Sequence, residues 1–313
     1  MGMSQRITGN LMITGMHRSG TSWLSNVLGA DGNYLIKDEE IFRPTIPLQQ
    51  TPIKNWYLYI DKYNENIYKN FVASIVENNY NYFSSIPKVK TLRQFIGVTK
   101  NKIISSQRKL FNKNASKIFV EPIGLLSSPW FVRNYCSKCI VMVRHPAAVI
   151  SSMKRLNWYF DFSSISSQKT LINKYFHKFA DEILKPPDSK DIIKQGVLLW
   201  KMLHSVIATY AKNYPKWIFV KYEDLANNPI DGYNHLFNLL NFKFNDKIQN
   251  RINKLSSNTN PLELPIGKRD NNKRNSKVAM YNWKIRLTQE EIIVIRKGVS
   301  SISENWYSAK DWE

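Results

Sequence analysis

The chain of 313 residues has few cysteines, fewer acidic than basic residues, and no long hydrophobic run. Two cysteines cannot supply the several disulfides that hold a small secreted scaffold together. The longest apolar runs, such as Cys139 to Val143 and Gly196 to Trp200, fall far short of the roughly 20 residues that cross a bilayer. The sequence therefore predicts no disulfide scaffold and no transmembrane span. Its 43% apolar content suffices for a substantial core.

The first ten residues, Met1 to Asn10, are polar and contain no hydrophobic stretch of the secretory-signal kind. From this we expect a cytoplasmic protein. In that reducing compartment Cys136 and Cys139 are interpreted as structural thiols, one in a turn and one at the start of a buried strand. Their C-x-x-C spacing has no matching second pair of ligands, so the sequence predicts no metal site.

Basic residues outnumber acidic ones by 45 to 24, which gives a net charge of +21. This imbalance predicts affinity for anions without selecting one, so nucleic acid, acidic glycans, a lipid surface and phosphorylated small molecules all stay open. No acidic residue lies between Glu77 and Glu121. The basic residues of this stretch predict one positive face: Lys88, Lys90, Arg93, Lys100, Lys102, Arg108, Lys109, Lys113 and Lys117. An AT-rich coding sequence would also explain part of the excess of lysine.

Short apolar runs alternate with helical patterns, which predicts an α/β fold with a central parallel β-sheet flanked by helices. The predicted strands are Asn10 to Thr14, Lys117 to Glu121, Cys139 to Val143 and Trp217 to Lys221. The apolar spacing from Ile60 to Ile75 predicts a helix, and Thr288 is predicted to cap another near the C-terminus. The other predicted helices are Pro146 to Arg155, Gln168 to Leu184, Lys194 to Asn213 and Ile230 to Leu240. The stretch Lys254 to Lys277, rich in Asn, Lys and Pro, is predicted to be a functional loop or lid.

The first predicted strand leads into a loop between Gly15 and Gly20, after which apolar residues resume at helical spacing. A strand that feeds a helix N-terminus presents free backbone N–H groups and the positive end of the helix dipole, which together favour an anion. Three hydroxyls add donors to this loop, those of Ser19, Thr21 and Ser22. The sequence therefore predicts a phosphate-binding loop, although an ordinary strand-to-helix turn is an alternative.

This loop nearly matches the nucleotide triphosphate motif G-x-x-x-x-G-K-[ST], but Thr21 occupies the lysine position. The cation has been moved to Arg18, inside the loop. The site is therefore expected to bind a nucleotide other than a nucleoside triphosphate. A second element supports a nucleotide site, because Arg144 ends a buried strand and Ser152 follows about two turns into the next helix. Both reach the carboxyl edge of the sheet, where open parallel folds bind ligands.

With a third strand-to-loop element at Trp217 to Leu225, the chain resembles the sulfotransferase family from Ile13 to about Tyr307. The family's donor is 3′-phosphoadenosine 5′-phosphosulfate (PAPS), which leaves as 3′-phosphoadenosine 5′-phosphate (PAP). The resemblance implies a fold like that of the P-loop NTPases. No metal cofactor is expected, because Arg18, Arg144 and a helix N-terminus can neutralise the leaving bisphosphate. The resemblance also implies that a donor loop holds the 5′-phosphosulfate, formed by His17, Arg18, Ser19, Gly20, Thr21, Ser22 and Trp23.

The same resemblance assigns the 3′-phosphate to Arg144 and Ser152, and the neighbourhood of the adenine to Tyr222. Further cations for the 3′-phosphate are implied in the late loop, where the R-K-G sequence of the cytosolic animal members is missing. The candidates there are Arg269, Lys273, Arg274 and Lys277.

Sulfuryl transfer needs a base for the acceptor's proton and a cation for the charge that develops on the leaving group. Arg18 is the predicted catalytic cation. Some relatives place a catalytic glutamate after the first helix, which makes Glu40 the first candidate for the base and Glu39 the second. Surface ion pairs of these glutamates with Lys37 or Arg43 are the alternative reading.

Glu121 and the histidines are the other residues that could act as a base. Glu121 ends the second predicted strand and is an alternative base or acceptor contact. Among the five histidines, His17 is expected to pack beside the loop rather than to take a proton.

We therefore expect one sulfotransferase domain over residues 1–313, with residues 42–117 and 157–194 inserted on the acceptor side. The predicted reaction is sulfuryl transfer from PAPS to a hydroxyl or amine of a small molecule, such as a natural product, or of a saccharide or lipid. A P-loop small-molecule kinase and a non-enzymatic nucleic-acid-binding protein are the alternatives. No nucleic-acid partner is predicted by the leading interpretation, peripheral membrane contact is left open, and the oligomeric state is not predicted.

Overall fold

A five-stranded, all-parallel sheet forms the centre of the protein, with the strand order β2-β3-β1-β4-β5. The computed structural model describes residues 9–44, 51–80, 115–261, 263 and 275–313. The strands are β1 (Leu11–Gly15), β2 (Leu35–Asp38), β3 (Lys117–Val120), β4 (Lys138–Val143) and β5 (Ile218–Lys221). Leu11 of β1 pairs with Ile118 on one side and with Lys138 on the other, so β1 is the central strand.

Helices connect and cover these strands. The longer ones are α1 (Thr21–Leu28), α2 (Glu65–Val76), α3 (Ser128–Tyr135), α4 (Pro146–Arg155), α5 (Ile192–Asn213), α6 (Tyr222–Asn227), α7 (Pro229–Leu240), α8 (Asp246–Ser256), α9 (Ser276–Tyr281) and α10 (Gln289–Ser303). Alternate strand residues face opposite sides of the sheet, because side chains of a strand alternate with a period of two. Met12 joins a core with α2 to α5 and α10, and Ile13 joins a second core with α1 and α6 to α8.

The α/β fold with a parallel sheet is confirmed, and the predicted boundaries of four strands agree with the structure to within one residue. Strand β2 was not predicted. Its four residues contain only two apolar side chains, Leu35 and Ile36, and it forms by pairing in register with β3. The predicted structural roles of both cysteines are also confirmed, since Cys136 follows α3, Cys139 lies in β4, and both thiols are buried and free.

Two helix predictions were wrong in their extent. The stretch Gln168 to Leu184 is not one helix but short α, π and 3₁₀ segments, in which the Gln168 amide bonds backbone groups of a distant segment. The helical spacing from Ile60 becomes helix only at Glu65. Asp61 and Asn64 form side-chain-to-backbone hydrogen bonds there, and such bonds compete with the helix.

The predicted irregular stretch Lys254 to Lys277 is helical at both ends. Helix α8 continues to Ser256 and α9 begins at Ser276, where the Asn275 side chain accepts a hydrogen bond from the Val278 amide as an N-cap. Residue 262 and residues 264–274 lie outside the described part, so the loop or lid prediction stays a prediction. The capping box of Thr288 and Glu291 at the start of α10 is confirmed.

Candidate functional site

A cavity of about 160 Å³ lies at the carboxyl ends of the strands. Its walls come from the segments that follow β1, β2, β3, β4 and β5, as expected for an open parallel sheet. The lining residues are His17, Arg18, Gly20, Thr21, Ser22, Trp23, Glu39, Pro122, Arg144, Tyr222, Leu255 and Ser276. Most of the residues predicted from the sequence therefore meet in one place.

The loop between β1 and α1 makes a tight turn in which the Ser19 amide donates to the Met16 carbonyl at 3.1 Å. Gly20 has a φ of 100°, and a Cβ there would lie 2.7 Å from the Tyr222 ring. Only glycine fits that close approach of the backbone to a side chain. Helix α1 then begins at Thr21, which lines the cavity, and the start of a helix leaves backbone N–H groups without intrahelical partners.

Arg18 contacts both Ser152 and Arg144. Arg18 Nε donates to Ser152 Oγ at 2.9 Å, although the two residues are 134 positions apart. Arg144 Nη1 donates to the Arg18 carbonyl at 2.9 Å, and its guanidinium lies 4.2 Å from the centre of the Tyr222 ring. Two cations and a hydroxyl from separate segments thus converge, which is the arrangement that a phosphorylated ligand requires.

Several polar atoms at this site are buried and have no hydrogen-bond partner among the described residues. They include Ser19 Oγ, Arg144 Nε, His17 Nε2 and Trp23 Nε1. Buried polar atoms are otherwise almost always paired, so each such exception needs an explanation. A bound polyanion would accept hydrogen bonds from donors of this type. The residues present therefore fit a nucleotide that carries two phosphate groups.

Backbone strain also collects at this cavity. Six residues other than glycine in the described part of the chain have a positive φ, and three of them are asparagines, which tolerate that conformation. The other three are Arg18 at 68°, Glu39 at 50° and Tyr57 at 55°. Arg18 and Glu39 line the cavity, and Tyr57 contacts His17 beside it. Strain of this kind persists where surrounding structure holds a residue in place, as at functional sites.

The two candidate bases differ in their surroundings. Glu39 lines the cavity, and its Oε2 accepts from Arg43 Nη1 at 3.2 Å. Glu40 pairs at 3.1 Å with Lys37, whose buried ammonium also donates to the Ile75 carbonyl. The ion pairs weighed from the sequence are therefore present. Glu40, the first candidate, is directed to a buried lysine, whereas Glu39 lies at the cavity.

Glu121 does not fit the role of base or acceptor contact. It is only 1% exposed, and its two carboxylate oxygens accept from the amides of Ile41 and Phe42 at 2.9 and 3.2 Å. Burial raises its pKa well above the ordinary value. This carboxyl group therefore anchors the backbone just after Glu39 and Glu40, and it holds the segment on which both candidate bases lie.

The late-loop candidates are only partly described. Arg269, Lys273 and Arg274 lie outside the described residues. Lys277 is an exposed residue of α9, one position from the cavity-lining Ser276. The same helix contacts the site through its backbone, because Arg144 Nη2 donates to the Ala279 carbonyl at 3.2 Å.

Sequence reasoning missed two aromatic residues beside the donor loop, Tyr57 and Trp158. The hydroxyl of Tyr57 contacts both the backbone amide and the Nδ1 atom of His17, and the ring of Trp158 lies 4.1 Å from the His17 ring. Each belongs to one of the two stretches predicted to be acceptor-side insertions, both of which are rich in aromatic residues. No sequence signal separates them from the neighbouring Trp56 or Tyr159.

Comparison with protein-family models matches this chain to "Sulfotransferase domain" over residues 8–305. The chain belongs to the sulfotransferase family. The family uses PAPS as the sulfuryl donor, so the prediction of a PAPS-dependent sulfotransferase is confirmed. This finding decides against the kinase and the non-enzymatic nucleic-acid-binding protein as the basic activity.

Among solved structures, the sulfotransferase is similar to the sulfotransferase domain of the olefin synthase of Synechococcus PCC 7002, at 14% identity, with 98% of each chain covered and a TM-score of 0.52. The sulfotransferase domain of the curacin biosynthetic pathway matches at 14% identity over 95% of this chain and 99% of that one, with a TM-score of 0.47. Mouse sulfotransferase SULT7A1, solved with PAP, matches at 14% identity over 97% and 86%, with a TM-score of 0.45. A comparison with curated protein sequences found no match.

The described residues were also searched for metal-binding clusters and for helices that could cross a membrane. Within the described ranges, no group of three His, Cys, Asp or Glu residues lies close enough together to hold a metal ion. None of the helices in those ranges is both long and apolar enough to pass through a bilayer.

Proposed function

We propose that this sulfotransferase transfers a sulfuryl group to a hydroxyl or amine of a small molecule, a saccharide or a lipid, and that the cavity at the strand ends is its donor site. The observation that carries the proposal is that Arg18 and Arg144 both line one cavity, while Ser152 accepts a hydrogen bond from Arg18 beside it. Two cations, a helix N-terminus and several hydroxyl groups suit a ligand with two separate phosphates.

When it is bound, PAPS supplies a sulfuryl group whose bond to the 5′-phosphate breaks as a bond to the acceptor forms. Arg18 and the amides of the donor loop hold the 5′ end and stabilise the charge that develops on the leaving phosphate. Arg144 and Ser152 hold the 3′-phosphate. Because Arg18 bonds Ser152 directly in this structure, the Arg18 side chain has to turn away from Ser152 for the two to hold different phosphates.

The acceptor's proton passes to a carboxylate in this proposal, and the geometry favours Glu39. It lies at the cavity wall, whereas Glu40 is held by Lys37. Glu121 positions the segment by accepting two backbone hydrogen bonds. A general base must come within hydrogen-bond reach of the proton it takes, and Glu39 is the carboxylate best placed for that.

The acceptor side is assigned to the inserted segments. Tyr57 comes from residues 42–117 and Trp158 from residues 157–194, and both contact His17 at the edge of the donor loop. Aromatic side chains offer broad surfaces on which a sugar or ring system stacks. Lys277, and Arg274 outside the described residues, are the proposed additional cations for the 3′-phosphate.

Binding of the product nucleotide tests the donor site directly. PAP should raise the melting temperature by mass action, since a ligand that binds only the folded state stabilises it. AMP, which lacks the 3′-phosphate, should stabilise less, and an oligonucleotide should not stabilise at all. A shift with ATP or oligonucleotide and none with PAP would contradict the proposal. A screen of acceptors with labelled PAPS then identifies the substrate.

Metal removal provides a further test of the charge arrangement. Since Arg18, Arg144 and the start of α1 supply the positive charge, we expect treatment with EDTA to leave turnover unchanged. The measurement is the rate of PAP formation before and after chelation. Loss of turnover that magnesium restores would contradict this assignment.

A further inference from the structure

His17 and Tyr57 form a hydrogen-bonded pair between the donor loop and the acceptor-side insertions. The backbone amide of His17 donates to Tyr57 Oη at 3.2 Å, and His17 Nδ1 lies 2.5 Å from the same oxygen. Trp158, from the other insertion, packs against the imidazole with 4.1 Å between ring centres. His17 is thus the residue of the donor loop at which the two sides of the site meet.

The hydrogen bonds of this pair determine which nitrogen of His17 carries the proton. Tyr57 Oη already accepts a hydrogen bond from the His17 amide, and it has one proton of its own to donate. Among the described residues His17 Nδ1 is the acceptor available to that proton, and with Nδ1 as donor the buried hydroxyl would have none. Nδ1 is therefore the acceptor, and the ring proton of a neutral His17 lies on Nε2.

The charge states of both groups agree with this arrangement. Burial of the imidazole, helped by the neighbouring Arg18 guanidinium, lowers the pKa of His17 to about 3. The ring is therefore neutral at ordinary pH and carries a single N–H. Burial raises the pKa of Tyr57 above its ordinary value, so the hydroxyl keeps the proton that it donates.

The Nε2 atom of His17 is buried and has no partner within the described part of the chain. It belongs to a residue that lines the cavity next to Arg18. Tyr57 adopts a φ of 55°, an unfavourable conformation for a bulky aromatic residue, which surrounding structure has to hold. A strained tyrosine thus fixes the orientation and the proton of a histidine that presents an unpaired donor.

We propose that His17 Nε2–H donates a hydrogen bond to the sulfuryl group of bound PAPS, and that Tyr57 is the positioning residue that keeps the proton on Nε2. This inference rests on the proposed donor site and assigns the end of the donor that faces the acceptor. It also excludes His17 as the base, because neither ring nitrogen has a free lone pair. A neutral imidazole is then a preorganised donor at the reacting group.

The nucleotide pair PAPS and PAP tests the contact without an acceptor, because only PAPS carries the sulfuryl group. His17→Phe should weaken PAPS binding about tenfold in calorimetry, as expected for loss of one hydrogen bond to a charged group, with PAP binding nearly unchanged. His17→Gln, which places an amide N–H near the position of Nε2, should restore most of the PAPS affinity. Equal effects on PAPS and PAP, or no effect on either, would overturn the contact.

The tautomer has a test that needs no nucleotide. Long-range proton–nitrogen NMR spectra of histidine-labelled wild-type protein should show His17 neutral, with the proton on Nε2. Tyr57→Phe should produce a mixture of tautomers and also weaken PAPS more than PAP. The matched control is Tyr59→Phe, which removes a hydroxyl that contacts Lys174 instead. A proton on Nδ1, or a charged ring, in the wild type would overturn the role of Tyr57.

The proposed donor site and the proposed role of His17 can be tested separately. If the wild-type protein binds neither PAPS nor PAP, the proposed donor site is wrong and the sulfuryl contact falls with it. If it binds both and His17→Phe leaves their affinity ratio unchanged, the donor site stands and only the role of His17 is wrong.

Discussion

The proposed donor side and the proposed acceptor side of this sulfotransferase are built in different ways. On the donor side, Arg18 and Arg144 lie within three residues of a strand end, so the register of the sheet brings them together. On the acceptor side, the segment that carries Tyr57 is irregular and depends on contacts such as the bond from the Tyr59 amide to the Gln168 side chain, 109 positions away. Function placed on a sheet edge can be found from short motifs, whereas function placed on irregular insertions cannot.

The largest expected effect tests whether the donor side carries the chemistry. Arg18→Ala should lower turnover by about a thousandfold, because it removes the cation proposed to stabilise the leaving phosphate. Arg18→Lys should recover only part of the rate, since an ammonium lacks the planar fork with which a guanidinium bonds two phosphate oxygens at once. The control is Arg133→Ala, which removes an exposed arginine paired with Glu65. If the turnover of Arg18→Ala lay within threefold of wild type, Arg18 would not be the catalytic cation and the donor side would not carry the chemistry.

The next effect concerns the segment between the two sides. Glu39→Gln should lower turnover about a hundredfold by removing the base, with PAP affinity unchanged. Glu40→Gln should leave turnover within a few-fold. It should lower the free energy of unfolding by about 2 kcal/mol, because Lys37 is buried and loses its carboxylate. Steady-state rates and denaturant unfolding measure the two effects, and the reverse pattern would restore Glu40 as the base.

A smaller effect sharpens the assignment of the 3′-phosphate. Ser152→Ala should weaken PAP about tenfold and leave AMP unchanged, because only PAP has the 3′-phosphate that the hydroxyl is proposed to bind. The control is Ser151→Ala, whose hydroxyl bonds the Ala148 carbonyl within the same helix. Calorimetric titration gives both affinities. Equal loss of PAP and AMP would place Ser152 at the 5′ end instead.

The last effect concerns the pH dependence of stability and leaves the proposed donor site untouched. His204 is fully buried, its ring stacks on Trp200, and burial lowers its pKa to about 3. Between that value and 6.5 the unfolded chain binds the extra proton. Stability should therefore be complete above pH 6.5 and fall at lower pH, by up to about 1.4 kcal/mol per unit for this group.

His204→Phe should flatten that part of the pH profile and leave PAP affinity unchanged. Unfolding in denaturant at several pH values measures the slope. An unchanged slope in the variant would show that His204 is not held neutral in the folded protein.

Much of the fold and the donor site could be predicted because the signals are local. Arg144 follows a run of β-branched and other apolar residues, which is typical of a buried strand. Gly15 and Gly20 lie at the two ends of a short loop, and glycines at such positions indicate a tight turn. Strand β2 was not predicted because it forms by pairing with β3, and four residues are too few to show a clear alternation of apolar and polar side chains. Tyr57 was not predicted because its proposed role depends on one hydroxyl that contacts a histidine 40 positions away.

The sequence could not separate Glu39 from Glu40 for a related reason. Adjacent residues share the same local pattern, and the difference between their surroundings depends on Lys37. That lysine is buried because β2 is part of the sheet, a strand that was not predicted.

The position of β1 in the sheet has a consequence for how the chain folds. This strand is made first, yet its neighbours, which begin at Lys117 and Lys138, emerge from the ribosome more than a hundred residues later. Pairings so distant along the chain close slowly and leave unpaired strand edges exposed in the meantime. N-terminal fragments that end before β4 should therefore aggregate, and expression should improve when chaperones are abundant.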